Sequence, residues 1–103
     1  MAVLKSGITD TGTTEYYLVG FELYDDFEPV LNQLTQMNAK ILERLDGIWF
    51  QIATVEMGGI AFKVVWHEDV GVYSYVPGEP SESVNGSLQR ILEEVVTAIN
   101  NLG

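Results

Sequence analysis

The sequence predicts an α+β fold: a single, mainly antiparallel sheet of about five strands, in the order β-β-α-β-β-β-α, with two helices packed on one face. Three observations carry this reading. Between Ile48 and Val76 three apolar runs alternate with a period of two and are separated by turn-forming residues. Two other stretches, after Asp25 and after Ser81, repeat apolar residues at spacings of three and four. Finally, 47% hydrophobic residues in a chain of 103 is enough for one core, while two halves would each be too small to bury one. Residues 1–103 are therefore read as one domain, with no repeat, low-complexity tract or linker inside it.

Ala2 to Ile8 reads as a short strand, and Thr9-Asp10-Thr11-Gly12-Thr13 as the turn after it. Glu15 to Leu23 is the second strand, with Tyr17, Val19, Phe21 and Leu23 on one face and Tyr16, Leu18, Gly20 and Glu22 on the other. A helix follows from about residue 26 to 45. Asp25 or Asp26 can cap it, Glu28 stands in capping-box position to Asp25, and Pro29 falls in the first turn. Phe27, Val30, Leu31, Leu34, Met37, Ile41 and Leu45 form its apolar stripe, opposite Asn32, Gln33, Gln36, Lys40 and Glu43. Lys40 and Arg44 then suit the negative end of the helix dipole, and Asp46-Gly47 supplies the exit.

In the next strand, Ile48 to Glu56, alternation gives Ile48, Phe50 and Ile52 to the core and Trp49 and Gln51 to the other face. Gly58-Gly59 between two apolar runs provides the positive φ angles of a tight primed hairpin. The strand beyond it, Ile60 to Trp66, sets Ile60, Phe62, Val64 and Trp66 against Ala61, Lys63 and Val65. After a reversal at His67-Glu68-Asp69, a third run separates Val70, Val72 and Val76 from Tyr73 and Tyr75. Pro77-Gly78-Glu79-Pro80 is a loop, and Ser81 or Ser83 caps a final helix with Val84, Leu88, Ile91, Leu92, Val95, Ile99 and Leu102 on its apolar side. Gly86 weakens the first turn by about 1 kcal/mol relative to alanine, which moves the expected start toward Asn85.

Charge narrows the function classes. Fifteen acidic residues against five basic ones give −10, which repels nucleic acid and anionic membranes and attracts a basic protein. Part of that excess is helix chemistry: Glu22, Asp25, Asp26 and Glu28 surround one helix start, and Glu79 and Glu82 another. No cysteine is present, which removes disulfides, thiolate zinc ligands and cysteine nucleophiles. Met1 to Lys5 lacks the apolar core of a secretory signal and no run approaches the ~18 apolar residues of a membrane span, so a cytoplasmic protein is expected.

Asp10-Thr11-Gly12 resembles the short signature of aspartic proteases, which implies a dimeric site in which two Asp10 carboxylates share a proton. That fold has no room for the central helix, and no apolar-apolar-Gly segment stands late enough to support the loop, so the tripeptide reads as a hairpin turn. His67 is the only histidine. Its neighbours Glu68 and Asp69 in a turn do not converge on one point with it, so no metal, cofactor or catalytic residue is assigned. Phosphate loops and nucleophile elbows are also missing from the sequence.

The aromatic residues say more. Tyr16, Trp49, Tyr73 and Tyr75 fall on strand faces assigned away from the helices, and an uncovered sheet rich in tyrosine and tryptophan suits protein contact. The expected contact set is Trp49, Glu68, Asp69, Tyr73 and Tyr75, and the expected partner a basic protein. In charge and size the chain is similar to small acidic immunity proteins and antitoxins. In element order alone, residues 26–102 are also similar to secretion chaperones, which implies a self-associating homodimer. A small enzyme without a short motif is the remaining class.

Overall fold

The computed structural model describes residues 2–102. Met1, Gly103 and the side chain of Leu102, the last position of the expected helical repeat, lie outside the described residues. The elements are β1 (Val3–Ile8), β2 (Thr14–Val19), a 3-10 turn (Tyr24–Asp26), α1 (Phe27–Gln36), β3 (Lys40–Asp46), β4 (Phe50–Met57), β5 (Ile60–His67), β6 (Gly71–Tyr75) and α2 (Glu82–Leu102). They build one antiparallel sheet in the order β1-β2-β6-β5-β4-β3, so six strands replace the five expected. Phe27, Val30, Leu31 and Leu34 of α1 and Leu88, Leu92 and Val95 of α2 bury against Leu18, Val55, Phe62, Val64 and Val72 of one sheet face. Among the described residues the opposite face carries no element.

The sixth strand is the largest correction. Residues 40–46, expected as the last turns of the first helix, pair instead with β4, with a bulge between Ile41 and Glu43. Asn38 stops the helix. At φ 73° it occupies the left-handed region. Its N–H donates to Thr35 O at 3.0 Å, and the Ala39 N–H to Leu34 O at 3.0 Å, which together satisfy the last carbonyls in a Schellman cap. Ile41 and Leu45 continue the helical spacing only by coincidence and end up exposed in the edge strand. Asp46-Gly47 turns into a hairpin rather than ending a helix, with the Gly47 N–H donating to Phe50 O at 2.7 Å. Asn38→Ala is expected to lose about 1 kcal/mol and Asn38→Gly to lose nothing, read from urea denaturation midpoints.

The second correction concerns β4. Gln51, Ala53 and Val55 are its buried residues, not Ile48, Phe50 and Ile52. Gly58 and Gly59, at φ 59° and 82°, close the hairpin on Met57 opposite Ile60. That register sets Val55 across from Phe62, Ala53 from Val64 and Gln51 from Trp66, and directly paired residues share a face. Buried Gln51 is satisfied: its Nε2 donates to Tyr24 O at 3.2 Å and its Oε1 accepts from Arg44 at 3.2 Å.

Tyr16 is corrected in the same way. It pairs with Ser74, lies in the core and donates its hydroxyl to Asn85 O on α2 at 3.1 Å. β2 stops at Val19, so Phe21 and Leu23 belong to the loop beyond it, and Val70 belongs to the turn before β6. Ser81 does cap α2, its Oγ accepting from the Val84 N–H at 3.2 Å, and the helix begins at Glu82 rather than near Asn85. The expected Asp25–Glu28 box does not form. Asp26 accepts from the Leu23 N–H at 2.9 Å, while Glu28 pairs with Arg44, whose guanidinium lies 5.5 Å from the Phe27 ring centre. At the N-terminal end, Asn100 clamps Ala2 with two hydrogen bonds of 2.9 and 3.0 Å.

Candidate functional site

Antiparallel pairing brings the ends of β2, β3 and β5 and the starts of β4, β6 and α1 to one end of the sheet. Three hydrogen bonds and one ring contact hold the loops there. Phe21 O accepts from the Val72 N–H at 2.9 Å, and Glu22 O from the Trp66 indole N–H at 3.1 Å. The Tyr24 ring meets the Trp66 ring edge-on at 5.1 Å. Trp49 O accepts from the Glu68 N–H at 3.0 Å, which sets the β3–β4 turn against the β5–β6 turn.

This loop end is both acidic and apolar. Glu22, Asp25, Asp26, Glu28, Asp46, Glu68 and Asp69 belong to it. Its cation, Arg44, is taken up by ion pairs to Glu28 and to Asp46, the latter at 3.0 Å. Ile48 is 79% exposed, Leu23 70% and Trp49 60%, with Tyr24 and Val70 also outside. Large apolar side chains held in water beside carboxylates characterise a contact surface more than a fold requirement.

The open face of the sheet is a second surface of different chemistry. Lys5, Tyr17, Tyr73, Val65, Ile52 and Leu45 line up across all six strands, as the register of each pair dictates. A neighbouring row holds Tyr75, Lys63, Thr54 and Glu43. A shallow concavity of about 170 Å³ is lined by Glu43, Leu45, Ile52, Thr54, Lys63 and Tyr75. The Tyr73 and Tyr75 rings stack at 6.2 Å, and Tyr17 lies 6.0 Å from Tyr73. Lys63 Nζ donates to Thr54 Oγ1 at 2.6 Å, and among the described residues it has no carboxylate partner.

Charge divides between the two surfaces. All three lysines of the chain, Lys5, Lys40 and Lys63, stand on the open face with Glu15, Glu43 and Glu56. That face is formally neutral, and the whole −10 is carried elsewhere.

The Tyr17 hydroxyl donates to Glu15 Oε1 at 2.6 Å, and that bond first, then burial, pushes its pKa up to about 12. Burial, and then the Glu15 charge, also raises Tyr73. Because the folded protein holds these protons more tightly than the unfolded chain, their stabilisation is complete below pH ~10, the ordinary tyrosine value, and is lost as pH rises above it. A phenolate absorbance titration should show a late step near 12, which Tyr17→Phe abolishes.

The structure divides the expected contact set. Trp49, Glu68 and Asp69 meet at the loop end, although Trp49 lies in the turn before β4 and not on a strand face; Tyr73 and Tyr75 lie on the open face as expected. Leu23, Tyr24 and Ile48 are exposed at the loop end, whereas alternation in the sequence places Leu23 and Ile48 on strands. Asp46-Gly47, once read as a hairpin turn, is the signal that would have exposed Ile48 and Trp49.

Asp10 sits exposed at the opposite end, in a turn closed by the Thr9 N–H to Thr13 O and the Gly12 N–H to Thr9 O, each at 2.9 Å. His67 Nδ1 accepts from the Asp69 N–H at 3.1 Å, which fixes the ring within the turn. Among the described residues no three His, Asp or Glu side chains gather as a metal ion requires. No helix there is long and apolar enough to cross a membrane. A groove of about 310 Å³ between α2 and the Gly58 hairpin is lined by Ser87, Arg90 and Glu94 among others, and the Ser87 hydroxyl donates to Ser83 O at 3.1 Å. In comparisons with known proteins, no family model, curated protein or solved structure matches this chain.

Proposed function

We propose that this chain is a non-catalytic cytoplasmic binding module that engages and neutralises a basic protein through its loop end. The observation that carries the reading is the Glu68 N–H to Trp49 O bond, which sets an exposed tryptophan against the Glu68-Asp69 turn. Tryptophan is a strong interface anchor because it removes a large apolar area from water with little conformational entropy to lose. The carboxylates around it, with Arg44 already ion-paired, steer a cationic surface toward that anchor and reject anionic ones. Trp49, Glu68 and Asp69 carry the contact, with Leu23, Tyr24 and Ile48 beside them.

The test is capture on the immobilised chain at low and moderate salt. A basic protein should be retained and weaken as salt shortens the Debye length to ~8 Å. Trp49→Ala should weaken that capture by 2 kcal/mol or more, roughly 30-fold. Glu68→Lys should mainly slow association. Capture indifferent to salt and to both substitutions, or no basic protein retained, would sink the proposal.

A further inference from the structure

We infer that the open face of the sheet is the interface of a two-fold homodimer, in which a second copy of this chain packs face to face. This surface is separate from the loop end, so the inference stands or falls apart from the basic-protein reading.

Charge complementarity decides the occupant. Two copies each carrying −10 repel wherever their acidic loops or helices meet, and the neutral open face is where they can approach without that penalty. In a two-fold contact residue i meets j while j meets i. Lys63 and Glu43 stand two strands apart in one row, roughly 10 Å at sheet spacing. Inverting the second copy over the first lets each Lys63 meet the other's Glu43, two ion pairs from one register. The row beside them supplies the apolar centre: Tyr73, Ile52 and Leu45, with Val65 already buried between them. Stacked sheets interdigitate side chains of this kind about 10 Å apart. A basic partner would meet the lysines on this face and a nucleic acid the glutamates, so neither fits it as a second copy does.

Sedimentation equilibrium of the full chain tests this directly. The wild type should be dimeric, and Lys63→Glu or Glu43→Lys alone should weaken the dimer by about tenfold or more through like-charge contact. Lys63→Glu combined with Glu43→Lys should recover it, a rescue that a merely misfolded variant cannot give. Circular dichroism of each variant should be unchanged. A monomeric wild type at the highest concentration reached, or a dimer indifferent to both single substitutions, overturns the inference. Lys63→Glu should still capture a basic protein through Trp49, which keeps failure of the dimer distinguishable from failure of the loop-end reading.

Discussion

Replacing Gly71 with alanine is expected to destabilise the fold by roughly 3 kcal/mol, a large loss for the addition of one methyl group. Gly71 sits at φ 88°, where an L side chain costs about 1–2 kcal/mol. A Cβ there would also stand 2.7 Å from Phe21 O and 3.2 Å from Glu22 Cα, both backbone atoms that cannot rotate away. Relieving such overpacking adds about 1–3 kcal/mol. The segment forced outward is the one whose Phe21 carbonyl accepts from the Val72 N–H, so the loop end loosens with it. Gly78→Ala is the control. Its φ of 86° is similar, but nothing lies within 4 Å of its Cβ, so it should lose only the conformational part. Urea denaturation of the two variants separates strain from collision.

Trp66→Ala should cost about 3–5 kcal/mol, the range for deleting a buried large aromatic. Trp66 is buried on β5, packs against the Tyr24 ring and holds Glu22 O through its indole N–H. Trp66→Phe keeps much of the packing but leaves that carbonyl without its donor, so roughly 1–3 kcal/mol should remain lost. Because Trp66 anchors residues 22–24 from beneath while Trp49 lies outside, Trp66→Phe should weaken partner capture less than Trp49→Ala and stability more. Denaturation followed by circular dichroism reads the first difference, and capture reads the second.

These two residues also mark where the sequence was readable. Gly58-Gly59 gave the hairpin away because two consecutive positive φ angles leave few alternatives to glycine. Phe62, Val64 and Trp66 alternate against Ala61 and Lys63, and their face followed. Tyr73 and Tyr75 were legible by the same contrast with Val72. β2 has no such contrast: Tyr16 and Leu18 are as apolar as Tyr17 and Val19, so only pairing with β6 decides which two are buried. Asn38 hid the helix end because asparagine tolerates the left-handed region without announcing it as glycine does. In β4, burying Gln51 depends on Tyr24 O and Arg44, partners distant in sequence that alternation cannot see. At the site, the Glu68-Asp69 turn and the apolar character of Trp49 were visible locally. Their meeting was not, because it rests on a bond between two different hairpin turns.

The charge division follows from the same pairings. Lysines scattered through β1, β3 and β5 become one face only when the six strands take their order. An acidic composition alone therefore understates the design: one surface is neutral and aromatic, the other acidic with exposed apolar side chains.

The most direct test of the central claim is an amide-shift map of the isotopically labelled chain titrated with a basic protein retained in the proposed capture experiment. Shifts confined to residues 22–28, 46–49 and 67–70 are the predicted result. Shifts centred on Tyr17, Tyr73 and Tyr75, with the loop end silent, would contradict the assignment of the acidic loop end as the partner surface.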